Sequence, residues 1–268
     1  MNIKCFFISL FSIFIGCGNA NESAYNFSNF NNTEAEVLSQ AVESNDIKGI
    51  REEILNKKIN VNFRDSKYET TLLSLSIVNN KKDAFKELLI LGANPNLYNK
   101  SCENPLTLSI NINNDLFFLK TLLKYELDLT PHFFKKKCDF YAYDPVLETI
   151  LIYNDLDNYK YGLEILRLLI ESNKNLNFKE FNDAQNYEHN IIFFCLKSRN
   201  ISALKYFIVD RKIEFPDDVY IDSTVLWGYE GFVSLTKILE DKTFIFENSE
   251  FREKAKKDIL EYLYKNEE

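Results

Sequence analysis

A repeat period of 34 residues constrains the fold of this 268-residue chain more than any other feature of its sequence. Equivalent positions recur at that interval in both helical segments and in the turn that follows them: Leu38, Leu72 and Leu106; the pairs Ile54-Leu55, Leu88-Leu89 and Leu122-Leu123; and Asn60, Asn94 and Asp128. A fixed period of this size indicates a solenoid, in which each unit buries its apolar face by stacking on its neighbours.

Residues 68–96 show the repeating unit most clearly. Apolar side chains at helical spacing predict two short helices, the first carrying Leu72, Leu73, Leu75 and Ile77 and the second Phe85, Leu88, Leu89 and Leu91. Asn79-Asn80 separates the two helices. Gly92 follows the second helix, where a left-handed backbone conformation is favoured. We therefore predict a positive φ at Gly92.

The motifs of this unit resemble those of the ankyrin repeat, whose first helix opens Thr-Pro-Leu-His and whose second helix ends Leu-Leu-x-x-Gly-Ala-x-x-Asn. Thr70-Thr71-Leu72-Leu73 takes the place of the first motif, residues 88–96 (LLILGANPN) match the second, and Asn104-Pro105-Leu106-Thr107 is the next copy of the first. The tetratricopeptide repeat has a similar period of ~34 residues, but the Gly-Ala-Asn-x-Asn ending belongs to the ankyrin repeat. The resemblance implies an all-α ankyrin-repeat solenoid of about five to six helix–turn–helix repeats, with short finger loops and a C-terminal capping helix.

Three repeats fill residues 34–130, and beyond them the period widens. Leu123 and its counterpart Leu169 are 46 residues apart, which predicts an insertion that includes residues 130–144. Further copies are expected at 145–170, 190–208 and, in degenerate form, at 225–239 with 251–264. Asn200 is expected to separate the helices of the fifth repeat.

The N-terminus resembles a bacterial lipoprotein signal. An apolar run from Cys5 to Ile15 is too short to span a bilayer and has the length of a secretory signal core. It ends in Phe14-Ile15-Gly16-Cys17. The resemblance implies that residues 1–16 are cleaved and that Cys17 is lipidated, so we expect a lipid-anchored protein of the bacterial cell envelope, in the outer membrane or periplasm. An ordinary secretory signal with an incidental cysteine is the alternative.

Residues 17–33 are rich in Asn and small polar residues, a composition that favours a flexible tether ahead of an ankyrin-repeat domain at 34–268. Docking of Tyr25, Phe27 and Phe30 on the first repeat is the alternative.

Composition limits the partners and the chemistry. Loss of Lys4 with the signal takes the net charge from −8 to −9, which argues against nucleic acid as a partner. Cys195 is expected in the core, and a bridge between Cys102 and Cys138 is left open. The sequence contains no nucleophile elbow and no phosphate-binding glycine loop. We therefore expect no catalytic site, no metal and no cofactor.

An enzyme or metal site built on the 130–144 insertion, around His132 and Cys138, remains the alternative to a binding protein. A purely structural envelope protein is a further alternative.

The finger loops between repeats are the expected functional elements, because aromatic and basic residues on exposed loops dominate interface energy. The candidate partner-binding residues are Phe63, Arg64, Tyr68, Tyr98, Lys100, Phe133, Phe134, Phe140, Tyr141, Tyr143, Phe181 and Tyr187. We expect a protein–protein interaction module that binds an envelope enzyme or a toxin, in the latter case as an immunity protein.

Overall fold

The computed structural model describes residues 23–111, 115–127, 149, 153, 159–172, 191–213, 215, 218–221, 231–241 and 250–266. The chain divides into two compact units, the first ending at residue 127 and the second containing the described residues from 149 onward together with residues 115 and 116.

The first unit consists of helix pairs joined by loops. Its elements are a 3₁₀ turn at Phe27–Phe30, α1 (Glu36–Glu43), α2 (Ile47–Arg51) continued by a π-helical turn (Glu52–Asn56), α3 (Leu72–Val78), α4 (Lys82–Ile90), α5 (Pro105–Asn111) and α6 (Phe117–Leu122). Within each pair the two helices pack on each other, and α3 also packs on α1 and α5.

The helices of the second pair begin and end where the sequence predicts. The Thr71 hydroxyl accepts a hydrogen bond from the Ser74 amide at 3.2 Å and caps the start of α3. Asn80 has a φ of 53° and reverses the chain between α3 and α4. Gly92 has a φ of 92°, and the amides of Gly92 and Ala93 bond back to the last turn of α4. The predicted positive φ at Gly92 is confirmed.

The π-helical turn at the end of α2 accommodates one extra residue. The left-handed residues between the helices, Asn45 and Asn80, are 35 positions apart, whereas those that end the pairs, Lys58 and Gly92, are 34 apart. The second helix of the first pair is therefore one residue longer. It takes up the extra residue through a wider turn, in which the Lys57 amide bonds to the Glu52 carbonyl at 3.1 Å.

The core of the first unit is formed by the apolar positions of the 34-residue period. The largest fully buried side chains include Leu38, Leu72 and Phe85. The rings of Phe85 and Phe118 meet edge to face, with their centroids 4.9 Å apart, a geometry that favours aromatic pairs. The repeat pattern thus identifies the residues whose burial stabilises the unit.

Residues 23–33 differ from the expected flexible tether, because they are folded onto the first unit. Phe27 and Phe30 are 6% and 0% exposed. The Asn26 side chain accepts a hydrogen bond from the Ser28 amide at 2.9 Å and caps the 3₁₀ turn. Burial of a Phe side chain contributes about 1.5–3 kcal/mol, which offsets the entropy of ordering a short polar segment. Residues 17–22 of the expected tether, and the signal at 1–16, lie outside the described residues.

The second unit contains further helices and a short hairpin. Its elements are α7 (Tyr159–Ser172), α8 (Ile191–Lys197), α9 (Ile201–Lys205) with a π-helical turn (Tyr206–Asp210), β1 (Asp218–Ile221), β2 (Gly231–Ser234), α10 (Leu235–Glu240) and α11 (Glu250–Asn266). The fifth repeat has its helix break where predicted: the Asn200 side chain caps α9 by accepting from the Ala203 amide at 3.0 Å. The capping helix predicted at 251–264 is present as α11, which packs on α9.

The predicted helix at 225–239 is wrong for residues 231–234. These residues form β2, which pairs with β1 in antiparallel register, with Val219 opposite Val233. The β-branched valine suits this extended conformation, and Gly231, with a φ of 135°, permits the turn into the strand. In the described part of the predicted segment, the residues from Leu235 onward are helical, as the start of α10 (Leu235–Glu240).

Candidate protein-binding surface

The first finger loop (residues 63–69) is held in one conformation by Asp65. This side chain is 1% exposed, and its carboxylate accepts hydrogen bonds from the amides of Lys67, Tyr68 and Thr70 at 3.0, 2.7 and 2.7 Å. An isolated bridge between Arg64 and Thr71 closes the base of the loop. An acidic residue that collects backbone amides in this way fixes a turn, so the loop is a preorganised element.

The second finger loop (residues 97–103) uses Asn99 at the position equivalent to Asp65. The Asn99 side-chain oxygen accepts from the Glu103 backbone amide at 2.9 Å, and the Asn99 backbone amide donates to the Glu103 carbonyl, also at 2.9 Å. Asn99 is 6% exposed. The 34-residue period therefore extends to the residues that shape the fingers.

The two finger loops are joined to each other. The Lys100 amide donates to the Tyr68 carbonyl at 2.9 Å, and the Lys100 ammonium donates to the carbonyls of Ser66 and Lys67 at 3.0 and 2.6 Å. The Arg64 guanidinium donates to the Tyr98 carbonyl. These bonds make the loops a single surface, called here the finger surface (residues 63–69 and 97–103).

Five of the predicted partner-binding residues lie in this surface. Arg64 is also paired with Glu69 at 2.8 Å, so Arg64 and Lys100 both have polar contacts within the protein. Phe63 is half-buried against the core, with its ring centroid 6.0 Å from that of Phe30. Tyr68 and Tyr98 are half-buried. The other candidates, Phe133, Phe134, Phe140, Tyr141, Tyr143, Phe181 and Tyr187, lie outside the described residues, as do Cys17 and the whole 130–144 insertion with His132 and Cys138.

A contact that the sequence analysis did not identify connects the N-terminal segment to the second finger loop. The Tyr25 hydroxyl donates to the Glu103 carboxylate and accepts from the Asn99 side-chain amide at 3.0 Å. The Asn99 side-chain amide also donates to the Glu103 carboxylate at 3.1 Å. The repeat of Asp65 as Asn99 and of Glu69 as Glu103 was a usable signal for the finger residues, but nothing local in the sequence indicates that Tyr25 reaches them.

The titratable groups of the described residues show no arrangement typical of catalysis. No group of three or more His, Cys, Asp or Glu side chains in the described part of the chain is placed to hold a metal ion. Cys195 is 1% exposed, and burial raises the pKa of its thiol, which keeps it protonated and unreactive. The described helices include none that is long and apolar enough to cross a membrane.

Cys102, at the tip of the second finger loop, is disulfide-bonded, and Cys195 is a free thiol. The backbone of Cys102 has a φ of 63°, and its amide donates to the Asn99 carbonyl at 3.0 Å. The partner cysteine lies outside the described residues.

Comparison with known proteins supports the fold. The crystal structure of EF0377, an ankyrin repeat protein, matches with a TM-score of 0.53 and 17% sequence identity, over 85% of this chain and 96% of that chain. The human ASB11 ankyrin repeat domain matches with a TM-score of 0.46 and 12% identity, over 83% of this chain and 96% of that one. No protein-family model and no curated protein matches the sequence. The chain has the all-α ankyrin-repeat fold that the resemblance of its motifs implies.

Proposed function

We propose that this chain is an exported protein-interaction module of the bacterial cell envelope, anchored through lipid on Cys17, that binds a protein partner through its finger surface. The observation that carries the proposal is the joining of the two finger loops by backbone and side-chain hydrogen bonds. Loops with a fixed backbone lose little conformational entropy when a partner binds, and preorganisation of this kind favours affinity. A fold alone does not name a partner, so the residues of these loops must supply the specificity.

The outward-facing chemistry of the finger surface suits a protein partner. Lys67 and Lys100 are exposed at the tips, and the Lys67 ammonium lies 4.9 Å from the centroid of the Tyr68 ring. An aromatic ring with a cation beside it combines apolar area with charge, as residues at protein interfaces commonly do.

The disulfide at Cys102 supports export. Disulfides persist in oxidising compartments and are rare where thiols are kept reduced. The signal-like N-terminus and the bridged cysteine therefore favour the same compartment by independent arguments.

Affinity capture tests the binding function. The full chain, carrying a C-terminal affinity tag, is cross-linked in its native cell envelope and its partners are identified by mass spectrometry. We expect one dominant stoichiometric partner, whose identity as a toxin or an envelope enzyme separates immunity from scaffolding. Absence of any enriched protein at high bait occupancy would argue against the proposal.

A pair of variants locates the interface. Lys67→Ala combined with Tyr68→Ala removes side chains of the finger surface while keeping the backbone bonds that join the loops, and we expect it to lose the partner. Ile90→Ala removes an exposed apolar side chain, 67% accessible, on α4, and we expect it to retain the partner. Equal capture by both variants would place the interface elsewhere.

The lipid anchor is tested separately. Metabolic labelling with a radioactive fatty acid is expected to mark the full chain and to leave the Cys17→Ala variant unlabelled and in the soluble fraction. An unlabelled wild-type chain would favour the ordinary secretory signal.

A further inference from the structure

Tyr25 connects the N-terminal segment to two later repeats. Its hydroxyl bonds to Glu103 and Asn99, which are 78 and 74 positions away. Its carbonyl accepts from the Asn79 side-chain amide, at the end of α3, at 3.2 Å. The segment therefore passes across the first helices of the repeats and ends against the finger surface.

The residues that follow Tyr25 use apolar contacts on the same face. The Phe27 carbonyl accepts from the buried Ser39 hydroxyl of α1 at 3.2 Å, and the Phe27 ring is buried in the core. Phe30 is fully buried and lies beside Phe63 at the start of the first finger loop. The segment bound on this face has the pattern Tyr-x-Phe-x-x-Phe at residues 25–30, a phenol followed by two buried aromatic rings.

The surface under this segment offers matching chemistry. Glu103 supplies an acceptor for a phenolic hydroxyl and Asn99 supplies a donor, and both are fixed by the turn of the second finger loop. A carboxylate that accepts from a hydroxyl forms one of the stronger hydrogen bonds in proteins. The site is therefore built to distinguish tyrosine from phenylalanine.

We propose that the face formed by α1, α3 and the second finger loop is a docking site for a tyrosine-containing aromatic segment, that residues 25–30 of this chain occupy it intramolecularly, and that a partner carrying a similar segment must displace them. The inference rests on the proposed binding function and names the chemistry of the partner. Because the segment joins α1 through only a few residues, its effective concentration at the site is of order millimolar. The apparent affinity for a partner equals the intrinsic affinity multiplied by the fraction of molecules in which the site is free of residues 25–30.

The test uses a fluorescein-labelled synthetic peptide of residues 22–28 and the mature chain, with binding measured by fluorescence anisotropy. The variant Tyr25→Ala with Phe27→Ala empties the phenol and first aromatic subsites and leaves Phe30 in the core. We expect it to bind the peptide at least about tenfold more tightly than the wild type, because the competing segment is gone. Equal binding by wild type and variant, or no binding by either, would overturn the proposal.

A cycle of substitutions tests the recognition of the hydroxyl. Replacing the peptide tyrosine by phenylalanine is expected to weaken binding to the double variant about tenfold or more, the effect of one lost hydrogen bond to a charged group. The same replacement is expected to have a clearly smaller effect once Glu103→Ala is added, because only the hydrogen bond from the Asn99 side-chain amide then remains. Glu52→Ala, which removes an exposed glutamate from the π-helical turn, is the matched control and is expected to keep the full tyrosine preference. A tyrosine preference of undiminished size after Glu103→Ala would show that Glu103 does not recognise the hydroxyl.

Two further measurements protect the interpretation. If the double variant fails to melt cooperatively, Tyr25→Phe takes its place. It is expected to bind the peptide about tenfold more tightly than wild type, since it loses only the hydroxyl bonds, one of which is to a carboxylate. Light scattering of the wild type is expected to give a monomer, and a dimer with exchanged segments would overturn intramolecular occupancy. If the peptide binds but no envelope partner is captured, the docking site is supported and the proposed function is refuted.

Discussion

Replacing Gly92 by valine is expected to destabilise the first unit through backbone strain alone. Gly92 has a φ of 92°, and a Cβ added there would have no atom within 4 Å. Overlap of the added Cβ with other residues therefore contributes nothing, and the expected cost is that of holding a β-branched residue in a left-handed conformation, about 1–3 kcal/mol.

The equivalent residue of the preceding repeat refines this magnitude. Lys58 occupies the same position with a φ of 62°, within the range that non-glycine residues tolerate at modest cost. Gly92→Asn is therefore the matched control, because asparagine accepts left-handed geometry, and we expect it to cost well under half of the valine penalty. Lys58→Gly is expected to leave stability within about 0.5 kcal/mol of wild type, since relief of strain and loss of unfolded-state restriction act in opposite directions.

Urea unfolding followed by far-UV circular dichroism measures these differences, with the m-value as the check that the folded and unfolded states are unchanged. A loss of 1 kcal/mol corresponds to a decrease in Tm of about 2–8 °C, depending on how many residues unfold together. A valine variant as stable as wild type, or an asparagine variant as unstable as valine, would refute the reasoning.

Three further perturbations have expected outcomes. Gly162→Ala would place a Cβ 2.3 Å from the Tyr153 Cβ, so we expect thermal melting to show a loss of about 1–3 kcal/mol despite the better helix propensity of alanine; an unchanged Tm would contradict the close approach. Burial raises the pKa of Tyr161 from 10.0 to about 12, so the Tyr161 hydroxyl loses its proton at a lower pH in the unfolded state than in the folded state. The free energy of unfolding should therefore fall as pH rises between those values, and Tyr161→Phe should reduce this decline. Equal alkaline stability profiles of wild type and variant would contradict the prediction. Cys195 should resist a thiol reagent in the native state. If Cys102 is bridged to Cys138, Cys195 should react as the single free thiol of the mature, Cys17→Ala chain after denaturation without reductant; three reactive thiols would show that Cys102 is not bridged to Cys138.

The helices of the first unit follow from sequence because their determinants are local. The 34-residue period, the Asn79-Asn80 break and Gly92 each act through neighbouring residues, and each is found where expected. The helix break predicted at Asn200 is confirmed for the same reason, because Asn200 caps α9. The π-helical turn was not predicted, because the 35-residue interval between the left-handed Asn45 and Asn80 is visible only in the backbone conformation.

The site was less predictable because its contacts are tertiary. Arg64 and Lys100 were chosen as exposed anchors, yet their donors bond to carbonyls of the neighbouring finger loop, which no local pattern indicates. Tyr25 was assigned to a tether because its surroundings are polar, and its partner Glu103 is distant in sequence. The hairpin at β1 and β2 was missed because Val233 was placed in a helix, although its extended conformation depends on pairing with Val219.

If Cys17 carries the proposed lipid anchor, the docked N-terminal segment also limits how far the protein can extend from the membrane. With Cys17 as the lipid anchor and residues from 23 onward held on the first unit, residues 18–22 alone connect the two. An extended chain spans about 3.5 Å per residue, so Ser23, the first residue of the held segment, would lie within about 20 Å of the lipid headgroups. Displacement of the segment through residue 30 would lengthen this connection more than twofold. Replacement of the docked segment by a partner's segment would then change both the occupancy of the site and the distance from the membrane that an anchored molecule can reach.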